Sequence, residues 1–142
     1  MESSVINNIV LFKPVRHMNR NIKAIRIFAA VLAILWAGIH MTLASVKVPS
    51  AIATQVYDPT FGVFAALSIL AAMLFIQGMK SYYPAIAALY LFDLLLLIET
   101  RVGPAPILGV KLPVLPSVIL VIVLDIVLIP VTLLLFKFEQ KM

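Results

Sequence analysis

Apolar residues run along this chain in four long blocks, each broken by short clusters of Pro, Gly and charged residues. A hydrocarbon core about 30 Å thick needs about 20 apolar residues in a helix. The blocks at about 22–46, 61–79, 82–100 and 114–138 each reach that length. None alternates with period two, and lipid offers no partner for unpaired backbone groups, so the blocks predict helices. Pro49, Asp58 and Pro59 separate the first pair. Gly78 through Pro84 predicts a tight antiparallel hairpin between the second and third blocks, and Gly103, Pro104, Pro106, Gly109, Pro113 and Pro116 punctuate the last connection. The pattern predicts an all-α fold, a four-helix transmembrane bundle forming a single membrane domain over 1–142.

Residues 1–21 form a separate N-terminal segment. Val5, Ile6, Ile9, Val10 and Phe12 give a short apolar face with Ser3 or Ser4 as N-cap, ended by Pro14. This predicts a short interfacial helix held to the membrane surface by the basic residues that follow. The apolar block after those residues is longer than a signal-peptide core and lacks a small-residue cleavage site, so no cleavable signal is expected.

Composition agrees with lipid as the main solvent. Hydrophobic residues make up 63% of 142 residues and charged residues 12%, with a mean hydropathy of +1.13. That leaves too little polar surface for a water-soluble domain, in which about a quarter of residues are charged. The net charge of +5 sits at the ends of the blocks, not in a nucleic-acid footprint. Lys13, Arg16, Arg20, Lys23, Arg26, Lys80, Lys137 and Lys141 fall on one side, and Lys47, Arg101 and Lys111 on the other. The bias predicts a multi-pass cell-membrane protein with both termini cytoplasmic. With no cysteine, disulfides, thiolate metal sites and Cys nucleophiles are excluded. Scarce Asn and Gln together with the missing Cys fit a thermophile.

Ionisable residues inside a span cost about 2.5–3.5 kcal/mol each and demand an explanation. Asp93 and Asp125 each lie about 11 residues into their blocks, which run in opposite directions, so both reach the midplane. Tyr90 shares a helical face with Asp93, and Thr132 shares one with Asp125. Pro130 leaves the Ile126 carbonyl without its helical donor. No basic residue is expected at the depth of the aspartates to pair with them. The aspartates therefore either form a proton- or cation-linked site or are satisfied by tyrosine, hydroxyl and backbone groups and simply hold helices together. A second polar group, His40, Glu99 and Arg101, falls nearer the outer surface. It suits an interfacial salt-bridge network, or contact with a quinone headgroup, a lipid headgroup or a single metal. Ala30, Ala33, Ala37, His40 and Ala44 mark the inward face of the first block, and Gly62, Ala65, Ala66, Ser68, Ala71 and Ala72 read as close packing in the second. Trp36 reads as a belt or packing residue. No catalytic residues, metal ligands or required cofactor are assigned. The apolar stretches at 47–60 and 102–116 should pack on the bundle, dip into the outer leaflet or meet a partner.

The run Arg26-Ile-Phe-Ala-Ala-Val-Leu-Ala-Ile-Leu-Trp36-Ala37-Gly38-Ile39-His40 resembles the opening of the DoxX/DoxD-like small membrane proteins. The second block, its Gln77-Gly78-Met79-Lys80 end and the close follow-on of the third look similar too. The resemblance covers about the first two-thirds of the chain, with Arg26 and Gly38 as pattern residues. It implies a four-helix membrane subunit associated with redox partners; some members of that family belong to a thiosulfate:quinone oxidoreductase. Three functions follow: an accessory subunit of a quinone-linked assembly, not an enzyme on its own; a small oligomeric proton- or cation-coupled transporter using Asp93 and Asp125; or a structural membrane protein without chemistry. The bilayer is the one partner all three require, with other membrane subunits or a second copy as further partners.

Overall fold

The computed structural model describes residues 20–45, 51–105, 109 and 111–141, with the side chains of 51–54 outside the description. The expected interfacial helix lies outside the described residues. Four α-helices follow in order: α1 (Arg20–Ala44), α2 (Ala51–Gln77), α3 (Tyr83–Val102) and α4 (Pro116–Gln140). A single 3-10 turn, Lys80–Tyr82, sits between α2 and α3. There is no strand among the described residues.

The interior positions alternate in steps of three and four. Along α4 they are Val118, Val121, Asp125, Leu128, Thr132, Leu135 and Glu139. Along α3 they are Tyr83, Ile86, Tyr90, Asp93, Leu97 and Thr100. This is the seam spacing of antiparallel bundles, in which each side chain seats between four on the facing helix. Outside the seam the helices are equally greasy: Ile27, Phe28, Ile34, Leu95, Ile126 and Leu134 are among many large apolar side chains left uncovered. Three of the helices, α1, α4 and residues Gln55–Gln77 of α2, are long and apolar enough to cross a membrane. The remaining helix, α3, is 20 residues long and carries Asp93, Glu99 and Arg101.

α1 packs against α2 and α4, and α3 packs against α4. The α1–α2 seam is built from small residues: Ala29, Ala33, Ala37, Ala65 and Ala72 are all at most 3% exposed. Methyl side chains let two backbones approach closely where no hydrophobic effect drives them together. α2 and α3 meet chiefly through side chains, Phe64 edge-on to Phe92 and Ser68 against Tyr90.

The α2–α3 hairpin turns at Gly78, whose φ of +69° lies in the left-handed region. Arg26 of α1 lies across this turn and binds Glu139 at the end of α4 through two hydrogen bonds of 2.7 Å. The Tyr83 hydroxyl donates to the same carboxylate at 3.2 Å, and Lys80 Nζ donates to the Glu139 carbonyl at 3.0 Å. One clasp thus ties α1, α4 and the hairpin together at this end of the bundle.

One boundary is corrected. α2 begins at Ala51, ten residues before the start expected at 61, and runs through Asp58 and Pro59. Pro59 removes only the hydrogen bond to the Gln55 carbonyl, on an exposed side of the helix. The Thr60 hydroxyl donates to the next carbonyl, Val56, at 2.7 Å. The apolar character of 51–60 is therefore that of helical turns, with Tyr57 turned inward. In the last connection the Leu112 amide donates to the Thr100 carbonyl at 2.9 Å, and Ala105 is buried, so this part folds back on the bundle.

Candidate functional site

The polar residues of the seams meet in one layer. His40, Ser68, Asp93 and Asp125 come from four different helices, and each is fully buried. Trp36, one turn before His40, is fully buried as well and stacks on its imidazole with ring centroids 3.6 Å apart. The Trp36 indole N–H donates to Asp125 Oδ1 at 2.7 Å. His40 Nε2 lies 3.3 Å from Asp93 Oδ1, and Nδ1 lies 3.2 Å from the Trp36 carbonyl. The Asp93 and Asp125 carboxyls are neighbours in this layer. Neither Asp93 Oδ2 nor Asp125 Oδ2 receives a donor among the described residues.

The second ring of contacts holds this centre in place. The Ser68 hydroxyl donates to the Ala33 carbonyl at 2.9 Å and lies 3.0 Å from the Tyr90 hydroxyl. The Tyr90 ring stands edge-on to Trp36, and Phe61 and Phe64 stand edge-on to His40. The imidazole is thus fixed by an indole on its face and two phenyl rings at its sides.

These contacts dictate where protons sit. The Trp36 carbonyl only accepts, so His40 Nδ1 donates to it. Nε2 faces a carboxyl oxygen, so one proton lies between them, on either atom. A second proton lies between the two carboxyls if they are to touch without repulsion. Two protons shared among Nε2, Asp93 and Asp125 leave the centre neutral overall. Removing or adding one leaves a net charge in a water-free interior, the state that costs most there.

Several expectations are corrected. His40 does not meet Glu99 or Arg101; it pairs with Asp93, so against expectation a basic residue does lie at the depth of the aspartates. Glu99 is exposed, on a groove of α3 that also includes Phe92, Leu95, Ile98 and Val102. Arg101 turns back over Thr100, hydrogen-bonds its hydroxyl and feels the charge of Asp93. Its Nε is buried without a partner among the described residues. Thr132 does not support Asp125: its hydroxyl donates to the Leu128 carbonyl of its own helix at 2.7 Å. Pro130 and Ile126 both face outward, so the freed carbonyl lies on the opposite side of α4 from Asp125. Tyr90 reaches Ser68 and Trp36, not Asp93.

Trp36 and Ser68 read from the chain alone as packing residues, and Glu139 is not singled out there. Trp36 and His40 are four apart, the spacing that puts two side chains on one helical face. Ser68 follows the seam spacing of α2 with Phe64, Ala71 and Phe75. Glu139 lies fourteen residues, two heptads, beyond Asp125 on the same stripe. Among the described residues no three His, Asp or Glu side chains are grouped to hold a metal ion.

No protein-family model matches the chain, and comparison with curated proteins and with solved structures likewise found no match.

Proposed function

We propose that this chain is a small integral membrane protein whose His40–Asp93–Asp125 centre takes up and releases a proton within the bilayer, as the core of a proton-coupled transporter. In this reading all four helices cross the membrane. α3 crosses because it packs along α4 with its one mid-span charge turned inward. The Arg26 end carries most of the Lys and Arg and faces the cytoplasm.

The observation that carries the reading is the pairing of His40 with Asp93 beside a second carboxyl, all three fully buried. Two carboxylates and an imidazole at one depth are more than helix association needs, since a single serine or asparagine supplies the same interhelical hydrogen bonds at lower cost. The centre is neutral at one proton occupancy and charged at its neighbours, as a site that binds and releases protons in response to its surroundings requires. Four helices enclose the centre but leave no broad path, so a larger cargo would move along a surface shared between copies.

The test is proton uptake by the purified protein in liposomes, read with an entrapped pH dye after an acid pulse. Asp93→Asn and Asp125→Asn should each abolish the protein-dependent component while the protein stays folded. Uptake unchanged in both variants would remove the site from the proposal.

A second reading, an accessory subunit of a quinone-linked assembly, draws on the resemblance of residues 26–40 and on the α3 groove of about 670 Å³ around Glu99. An isolated carboxylate on an apolar lipid-facing strip suits a partner helix bearing a donor. Purification from native membranes with a larger redox-active subunit attached would favour it over a self-sufficient transporter.

A further inference from the structure

We infer that in the conformation described the buried centre is open to proton exchange with one membrane face, the Arg101 end, through the crevice between α2 and α3 bounded by Tyr57, Thr60, Thr100 and Arg101, so that release to the other face needs a second conformation. This rests on the proton-binding reading above and adds its sidedness.

The two directions away from the centre differ in kind. Toward the Arg101 end, His40 is separated from the crevice by one ring, Phe61, at 5.8 Å between centroids. Phe61 itself lines the crevice with Tyr57, Thr60, Thr100 and Arg101. The space there is about 10 Å³, near the size that holds a single water molecule. Its walls are mostly apolar, with the Tyr57 phenol and the buried Arg101 Nε beside it and the Thr60 and Thr100 hydroxyls bonded to carbonyls of their own helices, so the opening is marked by its nearness to His40 and by room for one water.

Toward the Arg26 end the interior is closed. Asp125 and Glu139 are fourteen residues apart on α4, about 21 Å of rise. Ala29, Phe75, Leu128 and Leu135 fill the space between, all fully buried. The hydroxyls on that side are engaged: Ser68 with the Ala33 carbonyl and Tyr90, and Thr132 with the Leu128 carbonyl. Beyond this plug stands the Arg26–Glu139 clasp. A proton crossing it would travel as a bare charge through packed hydrocarbon.

The titratable and charged groups facing the centre are few. α1 offers His40; α2 offers Tyr57 at the crevice; α3 offers Tyr90, Asp93 and Arg101; α4 offers Asp125. Trp36 is the only tryptophan of the chain, donates to Asp125 and stacks on His40, so its emission reports the protonation of the centre from within.

The experiment uses the full chain in liposomes with a strongly buffered lumen. The chain has no native cysteine, so Lys111→Cys at the Arg101 end can be biotinylated from outside and vesicles sorted by orientation. The external pH is then stepped and Trp36 emission followed. With the Arg101 end outward, the emission should change within the mixing time. With the Arg26 end outward, it should lag, changing at the rate of the slower conformational exchange or once a protonophore equilibrates the lumen. Thr60→Leu with Thr100→Leu should slow the first response roughly tenfold while leaving its final amplitude intact, which also shows that the variant is folded. A prompt response from the Arg26 end overturns the sidedness while leaving proton binding in place. No response in either orientation, even with protonophore, overturns the proton reading and this inference together.

Discussion

Arg26 and Glu139, 113 residues apart in the chain, face each other with two hydrogen bonds of 2.7 Å at one end of the bundle. The side chain of Glu139 is 3% exposed and that of Arg26 is 12%. Two parallel hydrogen bonds between a guanidinium and a carboxylate fix geometry as well as charge.

Removing one partner leaves the other charge buried without its counter-charge. Arg26→Gln or Glu139→Gln should each lower stability by about 3 kcal/mol. Reversible unfolding in mixed micelles, followed by helix content, measures the loss. The double variant should cost less than the sum of the two, because the second substitution removes a charge already stranded.

Gly78→Ala should be damaging for two separable reasons. The left-handed φ costs about 1–2 kcal/mol for any residue with a Cβ. That Cβ would also collide with the Arg26 guanidinium. In an Arg26→Ala background only the backbone part should persist. Equal losses in the two backgrounds would mean that Arg26 yields freely and the clasp is loose.

Trp36→Phe keeps most of the packing but takes the donor from Asp125 Oδ1. A buried carboxyl oxygen left without its partner should cost about 2 kcal/mol. Tyr90→Phe loses only the neutral contact with Ser68 and should cost about 1 kcal/mol. The same unfolding measurement ranks the two, and a larger loss at Tyr90 would contradict the arrangement described.

Exchange at His40 should separate proton chemistry from packing. His40→Phe fills the space between Trp36 and the phenyl rings but strands Asp93 with no basic neighbour. His40→Gln restores a donor without the ability to titrate. Gln should recover stability relative to Phe, yet both should lack pH-dependent change in Trp36 emission. A full pH response in His40→Gln would move the exchangeable proton to the carboxyl pair alone.

Much of the fold was legible from the chain. The apolar blocks for α1, α3 and α4 match the helices to within two residues at each end, and the Gly78–Pro84 stretch turns as its composition requires. α2 was misjudged because Pro59 and Asp58 look like breakers wherever they occur, whereas an exposed proline in the first turns of a long helix forfeits a single hydrogen bond. The aspartate pair was visible from depth alone. Its histidine was visible too: with block ends at 46 and 100, His40 lies six residues from its end and Asp93 seven from its own. Grouping His40 with Glu99 and Arg101 near the surface hid the match. Side-chain direction was not legible. Whether Thr132 bonds its own helix or Asp125 depends on a rotamer choice that spacing does not determine.

The alanine seam between α1 and α2 sets a tolerance for chemistry that happens elsewhere. His40 rides on α1 while its carboxylate partner rides on α3, so the 3.3 Å between them is a clearance inherited from how near α1 is drawn to its neighbours. Swapping Ala33 or Ala72 for valine would act as a shim, tilting α1 outward and detuning a proton exchange that neither methyl group touches.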